Sequence, residues 1–520
     1  MKTQRVPGNP VRYLVFGSAL LILGITGQVW SFPTLMFSLL IALLCIVLGF
    51  WSRRRHAVLL LVDVWIFAYL YLYLSEYLLT LDSVLWSFGG EITYLTEGFI
   101  VASFGATLVG YGLVLQRHRS NKHAASISTR TRATARFDTS GSNPIARKRI
   151  SAAQSAHVID PPIAFRRGSR NATDSDALPQ EGIAANSKSQ LSSTREGLPT
   201  EIGLFAIALM LVVIYYVFEV VSLDQLLYVA RVQRVSEIDV GSFGTLMQAA
   251  VVTLPAVALF LFNRYKTSPL FALPLLVVSA IAILAVLASG TRFLIGFQLG
   301  SVLFLLLCLP NPLSRQRLLF VVLIVGLMLI GPLVQLDTRG AGIGNVSTSE
   351  TLISVLQPER FLSAEGNLRT NALIHLRHAY SFGDRVPENL FIFYWWIPRT
   401  FWPEKPTMAG HWVLRELTYE SGFSSAHSIS GGFAMPALLD FGPIWGAFFS
   451  ILYGVLIGWF EVYAWRQHDL QRPSAILAGL FYFAVFFMMR SLHTSLIFLM
   501  VSSLVSVVPM SLLLHAISSR

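Results

Sequence analysis

The sequence predicts an all-α, polytopic membrane protein of about twelve transmembrane helices, with one large, partly helical loop outside the membrane. Composition is the first observation. Apolar residues make up 54% of the chain and charged residues only 13%, against about 25% charged in a soluble domain. The mean hydropathy of +0.61 agrees. The second observation is segmentation, because the 520 residues divide into apolar runs of roughly 17–25 residues, the length that crosses a bilayer as helix. Hydrocarbon offers no partner to an open sheet edge, so helices are favoured. The alternating ten-residue segments of an outer-membrane barrel are absent.

Taken in order, the expected spans lie near 12–30, 33–51, 57–80, 95–115, 202–222, 244–263, 269–288, 293–310, 318–336, 436–464, 474–490 and 495–515. The third observation, the placement of Lys and Arg, orients them. Lys2, Arg5, Arg12, Arg53, Arg54, Arg55, Arg264, Lys266, Arg315, Arg317, Arg466, Arg472 and Arg520 all fall on one side, with the basic stretch 116–200. Cytoplasmic loops carry that excess, so both termini are expected in the cytoplasm. No small-residue cleavage site follows the first span, which reads as a retained anchor. Cys45 and Cys308 fall in separate spans without metal or redox spacing.

Five regions follow. Residues 1–115 carry spans one to four, 201–336 carry five to nine, and 436–520 carry ten to twelve. Residues 116–200, rich in Ser, Ala, Thr and Arg, hold fourteen basic against six acidic residues and show no apolar periodicity. That composition predicts a disordered cytoplasmic loop. Its charge suits a linker obeying the positive-inside rule or attraction to anionic lipid, and fits nucleic acid poorly.

Residues 337–435 form the expected extracytoplasmic lid. It carries eight basic residues and nine carboxylates, so it is mixed in sign, and a loop of such length is usually functional. Residues 366–380 and 409–420 have helical periodicity. Between them runs Tyr394-Trp395-Trp396-Ile397-Pro398-Arg399-Thr400-Phe401-Trp402-Pro403-Glu404-Lys405-Pro406, followed by Gly410-His411-Trp412. Three prolines in nine residues forbid a regular helix there. Tryptophans suit the membrane–water boundary. A Pro-rich turn would hold Arg399 and Lys405 at headgroup depth, where they could grip a diphosphate or simply snorkel as interfacial anchors. Four further basic residues break the charge bias: Arg231, Arg234, Arg292 in Ser289-Gly290-Thr291-Arg292, and Arg490 at the end of a span.

The run from Ile397 to Pro406 resembles the Pro-Arg…Trp-Pro-x-Lys-Pro signature of Wzy-type oligosaccharide repeat-unit polymerases, the family of O-antigen polymerases. Arg399 to Gly410 matches the Arg-x10-Gly spacing of their outer loops, and Ser289-Gly290-Thr291-Arg292 resembles a short turn of the same group. The topology extends the likeness over nearly the whole chain. The resemblance implies a GT-C-like polymerase or ligase architecture in the bacterial cytoplasmic membrane. It implies a metal-independent glycosyltransferase without cofactor, acting on a polyprenyl-diphosphate-linked oligosaccharide beside membrane lipids, with a chain-length regulator and a flippase as pathway partners.

That chemistry needs positive charge on the departing diphosphate and a base or positioning group for the acceptor hydroxyl. Arg399 is the first expectation for the diphosphate, followed by Arg292, Lys405, Arg231, Arg234 and Arg490. Arg399, His411 and Glu404 are the expected catalytic residues, with His427, His493, Glu365 and Glu416 as further candidates for the base. Asp63, Glu76 and Glu219 lie in or near spans, where ionisable groups tend to be functional. Two rival readings stay open: an O-antigen ligase using the same donor, and a flippase or other transporter, although no internal repeat is visible.

Overall fold

The computed structural model describes residues 9–30, 34–52, 60–74, 90–140, 197–221, 241–288, 292–308, 319–320, 322–324, 326, 368, 371–374, 388–397, 401–406, 430–466 and 472–519. Among these the backbone is almost entirely helical, with no β-strand beyond one isolated bridge, Gly197 to Lys266. Seven helices are long and apolar enough to cross a membrane, and four shorter apolar ones accompany them. These are the helices of a multi-pass membrane protein.

Their order is α1 (Pro10–Trp30), α2 (Leu35–Ser52), α3 (Leu61–Tyr69), α4 (Gly90–Ser140), α5 (Thr200–Tyr216), α6 (Gly241–Arg264), α7 (Pro269–Ala288) and α8 (Arg292–Cys308). Then come the one-turn α9 (Phe391–Tyr394), α10 (Met435–Arg466), α11 (Ser474–Met488), α12 (Leu492–Ser502) and α13 (Val508–Ser518). Wider π-turns close α3 at Leu70–Leu74 and α5 at Val217–Val221, and Ser503–Val507 joins α12 to α13. Among the described residues helix falls within each expected span, 318–336 being described at only a few positions, and seven helices have the length and apolarity to cross a membrane.

Two expectations need correction. The stretch 116–200 is not structureless throughout, because α4 continues through Ser140. Ala, Arg, Lys and Gln are good helix formers, and a helix already nucleated in the membrane propagates cheaply into them. Residues 117–195 form a compact unit of their own, separate from the one made by 1–116 with 196–520. The second concerns 436–464, which is not one straight helix. Gly442 has φ 75° inside α10, and Pro443 follows it. Proline disfavours the α conformation of the residue before it, and glycine tolerates positive φ. The chain turns back on itself there. A Cβ on Gly446 would lie 2.5 Å from the Ala437 carbonyl oxygen, and the Phe441 and Phe449 rings are 4.5 Å apart. Nine residues of straight helix would separate Ala437 from Gly446 by about 13 Å. α10 is therefore a helical hairpin, a short arm before Gly442 and a long arm after it.

Small residues set the helix packing, as they do where apolar side chains gain nothing by leaving lipid. Gly17 of α1 meets Gly105 of α4 so closely that a Cβ would stand 2.7 Å from the Gly105 carbonyl oxygen. On another side of α4, Gly454 of α10 abuts the Thr107 carbonyl, and Thr107 donates its hydroxyl to Ser450 O at 3.2 Å. α4 is thus held between α1 and α10.

The long arm of α10 also carries a buried carboxylate. Glu461 Oε2 accepts the Leu61 N–H at 2.5 Å and the Tyr111 hydroxyl at 3.4 Å, while Asp63 accepts the Leu60 N–H at 2.9 Å. Leu60 offers no side-chain cap, so these two carboxylates satisfy orphan donors at the start of α3. Asp63 has a structural task as a result. Glu219 is exposed, and Glu76 lies outside the described residues.

Candidate functional site

The aromatic segment is clamped at both ends. At its start Glu388–Leu390 makes a 3-10 turn that leads into α9. Asp440, in the short arm of α10, accepts the Glu388 N–H at 2.6 Å with one oxygen. Its other oxygen takes the Asn389 N–H and side-chain N–H, both at 2.8 Å. Tyr453 of the long arm donates its hydroxyl to Asn389 Oδ1 at 2.9 Å. Both arms of the hairpin hold the same turn. Burial, then the carboxylates of Glu388 and Asp440, push the Tyr394 phenol up to about 12.

At the other end Lys405 donates its ammonium to Trp395 O at 3.0 Å and Ile397 O at 2.7 Å. These carbonyls follow the last helical residue, where a cation is favoured. Tyr394 and Trp402 add an edge-to-face contact at 5.6 Å. The staple fixes chain positions on either side of Arg399. Arg399, His411, Arg231, Arg234, Glu365, Glu416 and His427 themselves lie outside the described residues, as does 409–420. Glu404 is exposed beside the staple. Of the expected helix 366–380, residues 368 and 371–374 are described and helical.

Below the clamp, α9 packs through Phe391, Ile392 and Trp395 on Ala249 of α6 and on Ile497 and Val501 of α12. The Trp395 indole N–H is buried there without a hydrogen-bond partner.

A second convergence surrounds the turn Met489–Arg490–Ser491 between α11 and α12. Phe433 N donates to Met489 O at 2.9 Å, Ser430 Oγ donates to Arg490 O, and Asn371 Nδ2 donates to Ser430 O at 3.0 Å. Gly432 between them has φ 92°, and a Cβ on it would lie 2.7 Å from the Tyr73 hydroxyl. These bonds bring the start of α10 to the start of α12. α8 joins them, since Phe293 packs at 5.4 Å from Phe487 and 5.1 Å from Phe498, one ring on each side of the turn. Arg292 is the residue before Phe293 and the first of α8.

The N-termini of α8, α10 and α12 therefore gather at the turn that carries Arg490. Each helix start bears roughly half a positive charge, and unpaired N–H groups there bind anions. Ser491, in the N-cap position of α12, caps nothing with its side chain; its hydroxyl pairs with Thr494 at 2.8 Å. The start of α8, at position 292, thus meets the turn that carries Arg490, 198 positions away in the sequence. Lys405 belongs instead to the clamp.

His493 lies in the first turn of α12 and is 5% exposed. No hydrogen bond engages its imidazole among the described residues. The sequence offers it as one candidate base among several; only tertiary packing distinguishes it. No group of three or more His, Cys, Asp or Glu fit to hold a metal occurs among the described residues. Comparison with family models, curated proteins and solved structures returns no match.

Proposed function

We propose that this protein polymerises polyprenyl-diphosphate-linked oligosaccharide repeat units into a surface polysaccharide at the outer face of the bacterial cytoplasmic membrane. The observation that supports it best is the gathering of the α8, α10 and α12 N-termini with Arg490 and the first residue of α8, Arg292. A diphosphate leaving group needs preorganised positive charge where its own charge develops, and helix starts supply it without bulk. In this reading the lid, tied down by Asp440 and Lys405, shields the donor from water. Arg399, from the Pro-rich run of the sequence, grips the diphosphate bidentately. Both termini then lie in the cytoplasm, and the twelve-span topology places the lid outside. An O-antigen ligase shares this donor chemistry and differs only in the acceptor.

One observation favours a reading from another class. Half-helices whose N-termini meet inside the membrane are also how transporters hold anionic substrates, and the short arm of α10 is such a half-helix. A flippase of lipid-linked oligosaccharide would use the same geometry to carry the molecule unchanged.

Deletion of the gene, with surface polysaccharide examined by gel, separates these readings. A polymerase predicts single repeat units still displayed and the long ladder gone, and Arg399→Ala fails to restore it. Loss of the ligase would strand intact polymer on its lipid. Loss of a flippase would leave repeat units on the cytoplasmic leaflet. A normal ladder in a strain without a second polymerase would overturn the proposal.

A further inference from the structure

We infer that His493 is the base that takes the acceptor hydroxyl proton, in a seam roofed by Trp395; this rests on the polymerase reading above. The seam is defined by packing. Trp395, Phe391 and Ile392 cover Ile497 and Val501 of α12. His493 precedes Ile497 by one helical turn, and side chains four apart share a face about 6 Å from each other. The imidazole therefore stands on the covered stripe, just beyond the lid helix.

Two polar groups in this seam are unsatisfied. The Trp395 indole N–H is buried and donates to nothing, and no hydrogen bond engages the His493 imidazole among the described residues, although the residue is 5% exposed. Buried polar groups are nearly always paired, so the idle indole N–H, with an unbonded imidazole one turn away on α12, points to a polar occupant. Along α12 the covered stripe is apolar, continuing as Ile497, Val501 and the partly buried Val505. An uncharged, hydroxyl-bearing ligand fits, an indole N–H offering a bond to one hydroxyl and a neutral imidazole accepting from another. A sugar is that ligand.

Position completes the case. Arg490 is three residues away from His493 in the chain, on the turn that opens α12. A donor whose diphosphate rests there presents its anomeric carbon to an acceptor held in the seam. The acceptor oxygen forms the new bond to that carbon, and the bond from the carbon to the diphosphate oxygen breaks. The electron pair leaves with the polyprenyl diphosphate, and the hydroxyl proton passes to the imidazole and then to water. No oxidant, reductant or further reactant is required.

The test uses the full-length protein in liposomes, supplied with lipid-linked repeat units, and follows chain growth by gel. His493→Gln keeps a hydrogen-bonding side chain that cannot accept a proton, and should lower turnover about 100-fold or more while leaving KM nearly unchanged. Trp395→Phe removes the N–H together with the five-membered ring while keeping an aromatic roof, and should raise KM several-fold with turnover largely kept. Thermal unfolding of both variants, expected within a few degrees of the parent, separates chemistry from folding. Turnover by His493→Gln within about threefold of the parent would overturn the inference and leave the polymerase reading standing. A parent protein that elongates nothing would overturn both.

Discussion

Asp440 accepts the backbone N–H of Glu388 at 2.6 Å, across 52 residues of sequence. A carboxylate placed just before the hairpin turn thus caps the aromatic segment, as Glu461 of the same α10 caps the start of α3. One helix carries two caps for other elements. The first of them decides whether the segment over α12 is held or loose.

Replacing Asp440 by Ala leaves the N–H groups of Glu388 and Asn389 without their acceptor. Loss of such a cap costs about 1–2 kcal/mol. Hydrogen exchange over residues 388–394 should accelerate roughly ten-fold as a result, with α4 and α11 unchanged. Equal exchange in variant and parent would show that the clamp contributes nothing.

Lys405→Met leaves the Trp395 and Ile397 carbonyls without a donor. The turn should loosen by about 1 kcal/mol and become a site of proteolytic cutting near residues 397–405. Lys405→Arg retains donors for both carbonyls and should resist the protease better than Met. Equal cutting of both variants would mean the ammonium does not hold the turn.

Gly442→Ala forces a side chain into φ 75° and should destabilise the detergent-solubilised protein by about 1–2 kcal/mol. Gly432→Ala should be worse, because φ is 92° and the added carbon would meet the Tyr73 hydroxyl. Tyr73→Phe in the same chain should recover part of that loss in a thermal melt. No recovery would place the cost in the backbone alone.

Gly454→Leu drives a side chain into the Thr107 backbone and should part α10 from α4, at a cost of about 3 kcal/mol or more. Gly203→Ala is the control, since its only close neighbour is a Leu198 methyl at 3.7 Å. Similar melting temperatures for the two variants would contradict the packing described.

The Tyr394 phenol should titrate near 12 instead of 10. A pKa raised on folding favours the neutral form, so the contribution of Tyr394 to clamping is complete below about pH 10. It is lost as pH rises towards 12. The difference between parent and Tyr394→Phe in an ultraviolet absorbance titration reads this directly, and a midpoint near 10 would show the phenol to be neither buried nor beside Glu388 and Asp440.

The spans are legible in the sequence because crossing hydrocarbon imposes a length and a composition that any short window reveals. The aromatic run, with its prolines and paired aromatics, announces a turn for the same local reason. The break in α10 is half-legible: Gly442-Pro443 is visible, yet glycine and proline occur in straight membrane helices too. The helical continuation of α4 is hidden, because a polar composition looks the same in a solvated helix and in a disordered loop.

By itself, then, the sequence determined that the chain is largely helical and carries several helices apolar enough to cross a membrane. Those properties depend on neighbours within a turn or two. Tertiary structure alone decided that the start of α8 meets the turn carrying Arg490, that Lys405 serves its own loop, and that Asp440 and Glu461 are caps. It also decided that His493 is buried. Such pairings depend on which helix starts meet in space. A charge pattern is almost indifferent to that, whereas packing at the glycine contacts fixes it within a fraction of an ångström.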